Sequence, residues 1–264
     1  RLFEQNPGGA PANLLTVASH MGYSTAFIGK VGADMHGAFL KKTLEKEGIS
    51  TDAVIEDPDY FTTLAFVAID ESGEREFSFA RKPGADTQLT KEELDQRLLS
   101  DCKIFHFGSL SLTDEPARET TMEAATIAKR AGAVISYDPN YRASLWKDEK
   151  TAVEGMKSAI SLADVMKVSD EECLLMTGAT TYEEAADQLL AMGPKLVAVT
   201  LGGEGVLVAT KDGKQRVQGF KVPVVDTTGA GDSFWGGFLS GFLALHKKVE
   251  NLTQEEITRC AIQG

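Results

Sequence analysis

From Ile104 onward the chain alternates short apolar runs with amphipathic ones, and few architectures accept that rhythm. The runs "KIFHFGSL", "AVISYDPN", "ADVMKVS" and "KLVAVTLGG" are nearly continuous in apolar residues. Each closes on Ser, Asp, Asn, Thr or Gly, as strands buried on both faces do. Between and after them, Pro116–Ala131, Glu171–Thr177 and Tyr182–Met192 read as helices, and "VPVVD" reads as a strand leading into a final helix. Strand, helix, strand in repetition specifies a mostly parallel central sheet with helices on both faces. The fold class is therefore α/β. Asn13–Met21 and His36–Glu47 read as earlier helices of the same layers. A length of 264 residues with 42% hydrophobic content suits one domain spanning residues 1–264.

One segment breaks the alternation. "FTTLAFVAIDESGEREFSFAR", Phe61–Arg81, is two β-rich runs around a Glu-Ser-Gly-Glu turn with no helix between them. Leu64, Phe66 and Ala68, with Phe77 and Phe79 opposite, give one apolar face. A lone hairpin is marginal in water, so that face is expected to pack on the main domain or on a second copy. The reading is an inserted β lid that also makes a homodimer, against the alternative of an ornamental edge hairpin.

Charge narrows the partners. A net charge of −12 argues against nucleic acid and anionic membrane surfaces, so an anionic ligand must be held by local groups. No apolar run approaches the ~20 residues of a membrane helix. The three cysteines (Cys102, Cys173 and Cys260) and the four histidines are scattered without metal spacing, which reads as buried thiols in a reducing cytoplasm.

The densest chemistry lies in "VVDTTGAGDSFWGGF", Val224–Phe238. A strand-like run ends at Asp226, a Gly-Ala-Gly turn follows, and Asp232 sits in the first turn of a helix. A helix start leaves N–H groups unpaired and favours an anion, which a carboxylate there would repel unless it had a proton to accept. No stretch supplies a G-x-x-x-x-G-K-[ST] phosphate loop, and Phe234 fills the third glycine position of a dinucleotide fingerprint. What remains is phosphoryl transfer: the amides of Gly229, Ala230 and Gly231 hold the phosphoryl group, and Asp232 takes the proton of an acceptor hydroxyl. The other polar strand ends, including Ser109, Asp138, Asn140, Ser169, Thr200 and Gly202, gather at the same rim, where open parallel sheets bind ligands. Singly, each is an ordinary turn residue. Lys167, inside a β run, requires an anionic partner such as ATP. Lys30 in "IGKVG" reads equally well as a solvated lysine, and Trp146 and Trp235 read as core.

These motifs resemble a family. "DTTGAGDSFWGG" is similar to the C-terminal signature of the ribokinase (PfkB-type) sugar kinases, and "NPGGAPANLLTVASHMGYSTAFIGKVGADMHG" to their N-terminal signature. "FSFARKPGAD", "IFHFGSLSLTDEPAR" and "SYDPNYRASLW" resemble the fructokinase branch. The resemblance implies a ribokinase-like fold with a β lid, ATP and Mg2+, with K+ as a further cation, and γ-phosphate transfer to a sugar hydroxymethyl group. Asp232 then matches the catalytic base, and Gly229, Ala230 and Gly231 the anion hole. Glu172 in "KVSDEE" matches a glutamate that positions magnesium through water, with Asp138 as a second candidate, and Ser169 stands where the family has asparagine. Thr200, Gly202 and Gly205 in "TLGGEG" match the nucleotide site beside Lys167. Gly9 and Asn13 match sugar contacts, Arg81 and Arg142 match substrate-reaching positions, and Asp226 and Thr228 match a monovalent-cation site. The family also carries a first strand with a sugar-binding aspartate and a C-terminal adenine-contacting segment, neither of which this sequence contains; a longer chain is expected.

Fructose is the expected acceptor. The alternatives are 2-keto-3-deoxygluconate, whose carboxylate Arg81 and Arg142 could pair, an aminoimidazole riboside or other nucleoside, and a silent sugar- or nucleotide-binding protein on the same fold. Asp232 argues against the last, because anion binding alone is better served without a carboxylate.

Overall fold

The computed structural model describes residues 3–69, 75–223 and 227–264, with backbone alone at 68–69 and 75–77. Helix α1 (Ala10–His20) is followed by β1 (Thr25–Ala26), β2 (Gly29–Gly32), α2 (Met35–Lys46), β3 (Ile49–Ser50) and β4 (Val54–Asp57). The hairpin is β5 (Leu64–Ile69) and β6 (Arg75–Ala80), and after it come α3 (Gln96–Asp101), β7 (Ile104–Gly108), α4 (Ala117–Arg130) and β8 (Val134–Asp138). Next are α5 (Glu149–Ser158), β9 (Val165–Ser169), α6 (Asp170–Thr177), α7 (Tyr182–Ala191) and β10 (Leu196–Thr200). The last elements are β11 (Val206–Thr210), β12 (Gly213–Val217), α8 (Ala230–Ala244) and α9 (Gln254–Gln263).

A six-stranded sheet in the order β12-β11-β10-β9-β8-β7 forms the centre. Strands β7 to β10 run parallel, and β11 and β12 are antiparallel to their neighbours. The expected α/β sheet is therefore present, with an antiparallel edge that the strand–helix alternation did not reveal. Its signal was Lys-Asp-Gly at 211–213, a hairpin turn in which Gly213 takes a φ of 144°. Of the "VPVVD" strand, residues 222–223 carry no regular structure, and 224–226 lie outside the described residues.

Alternating side chains of the central strands enter two cores. Met166, Val168, Val197 and Val199 face α4 to α7, while Val165, Leu196 and Ala198 face Leu14 of α1 and Trp235 and Phe238 of α8. Both faces exclude water, which is why β10 reads as an unbroken apolar run and β9 as one interrupted only by Lys167 before its closing serine. Trp235 is fully buried and stacks on Phe238 at 4.8 Å, and Trp146 is buried too, so both tryptophans are core residues.

Lys30 departs from the solvated reading. It is 8% exposed and paired with Asp57 at 3.2 Å and Glu93 at 2.7 Å. Two carboxylates compensate the burial of one ammonium between the β2–β4 pair and the segment before α3.

The hairpin forms where the sequence places it, with Leu64 opposite Ala80 and Ile69 opposite Arg75. Its feet are tied by two carboxylates. Asp34, capping α2, accepts from the Thr62 N–H and hydroxyl at 2.8 and 2.9 Å. Asp86 accepts from the Thr63 hydroxyl and from Arg81 Nε at 2.7 Å, joining the residue before β5 to the residue after β6.

Candidate active site

Register brings the functional ends of the parallel strands level. Gly108 pairs with Asp138, and Ser169 with Thr200, so the C-terminal tips of β7 to β10 share one rim. Helix α8 starts at that rim. There, a cleft of ≈ 540 Å³ is lined by Arg142, Lys167, Ser169, Glu172, Thr200, Thr228, Gly229, Gly231 and Asp232 among others.

Gly229 is the N-cap of α8 with a φ of 75°, and a Cβ there would stand 3.2 Å from Asn13 Nδ2. Glycine is thus needed for both conformation and space. The N–H groups of Gly229 and Gly231 have no hydrogen-bond partner among the described residues, whereas Ala230 donates to the Thr227 carbonyl at 3.1 Å. Two of the three expected amides are therefore open to an anion.

Asp232 is 9% exposed, with each oxygen taken once: Oδ2 accepts from Asn13 Nδ2 at 2.9 Å, and Oδ1 from Asn140 Nδ2 at 3.1 Å. Asn13, expected at a sugar, here meets the carboxylate. Asn140 entered the sequence reading only as a strand-closing residue. Its signal was "DPN", since asparagine tolerates the left-handed region and Asn140 has a φ of 47°.

Lys167 finds its anion inside the protein. Its Nζ donates to Asp138 Oδ2 at 2.8 Å, with side chains 8% and 4% exposed. Burial lifts the Asp138 carboxyl to about 6, with Glu172 and Asp232 pushing the same way and Lys167 opposing. Burial also works against the Lys167 ammonium, but Asp138, Glu172 and Asp232 outweigh it and raise its pKa. A Cβ on Gly231 would lie 2.9 Å from Lys167 Nζ, so the ammonium sits directly beneath the start of α8. Asp138 is thus occupied by a lysine, and no group of three or more His, Cys, Asp or Glu that could hold a metal exists among the described residues.

Glu172 and Ser169 form a reciprocal cap on α6: Ser169 Oγ accepts from the Glu172 N–H at 3.1 Å, and Glu172 Oε2 from the Ser169 N–H at 2.8 Å. Glu172 Oε1 takes the Tyr141 N–H at 2.7 Å. Arg142 is exposed at the rim and donates to the Tyr141 carbonyl at 2.8 Å.

Other predicted residues lie apart from the cleft lining. Gly9 caps α1, one turn from Asn13. The Arg81 side chain, 5% exposed, spends its donors on Asp86, on Thr113 Oγ1 at 2.9 Å and on the Leu110 carbonyl at 2.7 Å. It thereby fastens the hairpin to the loop after β7. Gly205 has a φ of 101°, and a Cβ would strike the Val217 carbonyl at 2.0 Å, so it permits close approach of β12. Gly202, with a φ of 54°, borders open space. Asp226 lies outside the described residues; Thr228, by contrast, is exposed in the cleft lining itself.

The sequence matches the profile of the pfkB family carbohydrate kinases over residues 1–262. Fructokinase-2 of Solanum habrochaites is 45% identical over 239 residues, covering 90% of this chain and 73% of that protein. The fold superimposes on a Vibrio cholerae fructokinase solved with fructose, ADP and calcium, at a TM-score of 0.89 and 35% identity over 99% of this chain and 83% of that one. A Xylella fastidiosa fructokinase with bound ATP gives a TM-score of 0.86 at 35% identity, covering 96% and 82%.

Proposed function

This chain belongs to the pfkB family of carbohydrate kinases and is a sugar phosphotransferase, and on that premise we propose that it phosphorylates D-fructose with ATP. The observation that carries the reading is Asp232, a buried carboxylate held beside amides at the start of α8 that have no partner among the described residues. Asp232 accepts the proton of a sugar hydroxymethyl group as its oxygen bonds to the γ-phosphorus and the bond from that phosphorus to ADP breaks. The Gly229 and Gly231 N–H groups and the Lys167 ammonium stabilise the charge on the phosphoryl oxygens. Arg142, exposed at the same rim, is placed to meet the phosphates or the sugar.

Magnesium fits the donor set. Each Glu172 oxygen accepts one N–H and keeps a second lone pair for a metal-bound water. Bound there, magnesium would neutralise phosphate charge. Asp138 is spent on Lys167 and supports that ion pair instead. For a monovalent cation, the relevant parallel is a Vibrio cholerae fructokinase solved with potassium; here we assign the site to the segment around Thr228.

In this reading one kinase domain carries the hairpin as its lid, and paired hairpins make a homodimer. Phe66 and Val67 are 43% and 52% exposed, so apolar surface on the hairpin is uncovered in the single chain. Three free cysteines suit a cytoplasmic enzyme, and no described helix is long and apolar enough to cross a membrane.

The test is ADP release from the full-length protein with fructose, 2-keto-3-deoxygluconate, ribose and nucleosides, alongside Asp232→Asn. Fructose should give the highest kcat/KM, and Asp232→Asn should lose ~10²-fold or more in kcat with substrate binding within a few-fold. A better acceptor would replace fructose. An Asp232→Asn enzyme at native kcat would remove the base.

A further inference from the structure

Pro139, Asn140 and Tyr141 cross the rim between the nucleotide side and the base, and each is fastened through its backbone. The Pro139 carbonyl accepts from the Ser109 N–H at 3.0 Å and from its hydroxyl at 2.6 Å. The Asn140 N–H donates to Asp138 Oδ1 at 3.2 Å, and the Tyr141 N–H to Glu172 Oε1 at 2.7 Å. Three residues, Ser109 after β7, Asp138 at the end of β8 and Glu172 in the first turn of α6, thus hold three successive residues, and they hold Asn140 in the left-handed region at a φ of 47°.

The loop does not need the Asn140 amide for its own shape, because its backbone is already bonded. The amide donates to Asp232 Oδ1 at 3.1 Å, across 92 residues of sequence. We infer that Asn140 is a positioning residue for the base: the clamped loop aims its amide so that the Asp232 carboxylate keeps one orientation. The assignment rests on Asp232 being the base. A carboxylate turns easily about its last torsion, whose wells are broad. One donor would leave it free to swing. Two donors on opposite oxygens, Asn13 from α1 and Asn140 from the β8 loop, fix its plane. The lone pair left on each oxygen then points in a set direction, which proton transfer to a positioned base requires. Glu172 holds the residue next to Asn140, so the phosphate side of the cleft and the base are linked through a single peptide unit.

Asn140→Gly removes the amide while keeping the left-handed backbone. In the full-length kinase it should leave Tm near native and both KM values within about threefold, while kcat falls ~10-fold or more. Asn140→Asp, which brings a like charge to the same place, should lose more. Asn140→Ser, whose hydroxyl is too short to reach Asp232, should repeat the glycine result if the glycine variant does not fold. In an Asp232→Asn background, Asn140→Gly should cost nothing further, because the amide acts through the carboxylate. Asn140→Gly and Asn140→Ser at native kcat, beside an inactive Asp232→Asn, overturn the positioning role alone. A loss confined to KM, or one of equal size in both backgrounds, overturns it as well. An active Asp232→Asn overturns the base and this role together.

Discussion

At the rim, Asp138, Lys167, Glu172 and Asp232 are 3%, 6%, 8% and 9% exposed, and each is bonded to another part of the chain. On the hairpin, Phe66 and Val67 stand 43% and 52% exposed, and the described ties to the body are concentrated at Thr62, Thr63 and Arg81. The rim meets its polar groups with protein donors and acceptors, so little has to reorganise when charge develops there. The hairpin leaves its surface to whatever comes against it. The proposed lid role rests on this difference: the rim fixes the groups for the chemistry, and in that reading the hairpin moves to admit sugar and then exclude the water that would hydrolyse ATP.

The comparison predicts unequal penalties. The largest is Lys167→Met, which leaves Asp138 buried without its cation. It should cost about 3–5 kcal/mol in urea unfolding and most of the turnover. Adding Asp138→Leu should restore stability but not kcat, and a single mutant of native stability would contradict the rigid-rim description. Next is replacement of residues 64–80 by a short glycine linker. Global stability should stay within about 1 kcal/mol while the fructose KM rises ~10-fold or more and the dimer is lost on sedimentation. Unchanged KM and mass would reduce the hairpin to ornament.

Smaller effects sharpen the same contrast. Asp86→Ala unties the hairpin feet, so the fructose KM should rise a few-fold and sugar-independent ATP hydrolysis should increase, with unfolding nearly unchanged. Hydrolysis at the native level would show that the tie does not govern closure. The smallest effect on turnover is expected for Asp34→Asn, whose cost of about 1–2 kcal/mol falls on stability. Burial acts to raise the Asp34 carboxyl, but donors from Thr62, Gly37 and His36 outweigh it and lower the pKa below 3.8. A carboxyl depressed in the folded state stabilises above its unfolded pKa, and that contribution fades as pH falls through the folded value. Asp34→Asn should therefore flatten the acid limb of the stability curve; an identical limb would locate that proton uptake elsewhere.

The parallel strands were legible because burial on both faces writes itself as continuous apolar runs, and the hairpin because no helical period separates its strands. Helix limits fell within a few residues. The largest shift was at α1, which begins at Ala10 rather than Asn13 because Gly9 caps it with Pro11 in the first turn. Asp232 was legible because it follows a Gly-Ala-Gly turn at a helix start, where amides free to hold an anion and a carboxylate able to take a proton stand side by side. The partners of Lys167, Lys30 and Arg81 were not. The two lysines bind carboxylates brought close only by folding, and sequence spacing carries no trace of pairs such as Lys30 with Glu93, whereas Arg81 binds Asp86 five residues on, across a turn whose shape the sequence does not spell out. Asn140 was hidden for a different reason: a turn asparagine and one that steers a base have the same local sequence.

The tie through Asp86 also bears on how such a protein can diverge. Bringing Thr63 and Arg81 together costs loop-closure entropy, and Asp86 with the Arg81 contacts to Leu110 and Thr113 offsets that cost at the base of the hairpin. The strands beyond need not hold their own ends in place. They can lengthen, shorten or change composition while the attachment stays where it is, which makes the segment a graft point: if the hairpin is the lid proposed above, new covers fitted to other sugars or subunit pairings can be exchanged on an unaltered catalytic body.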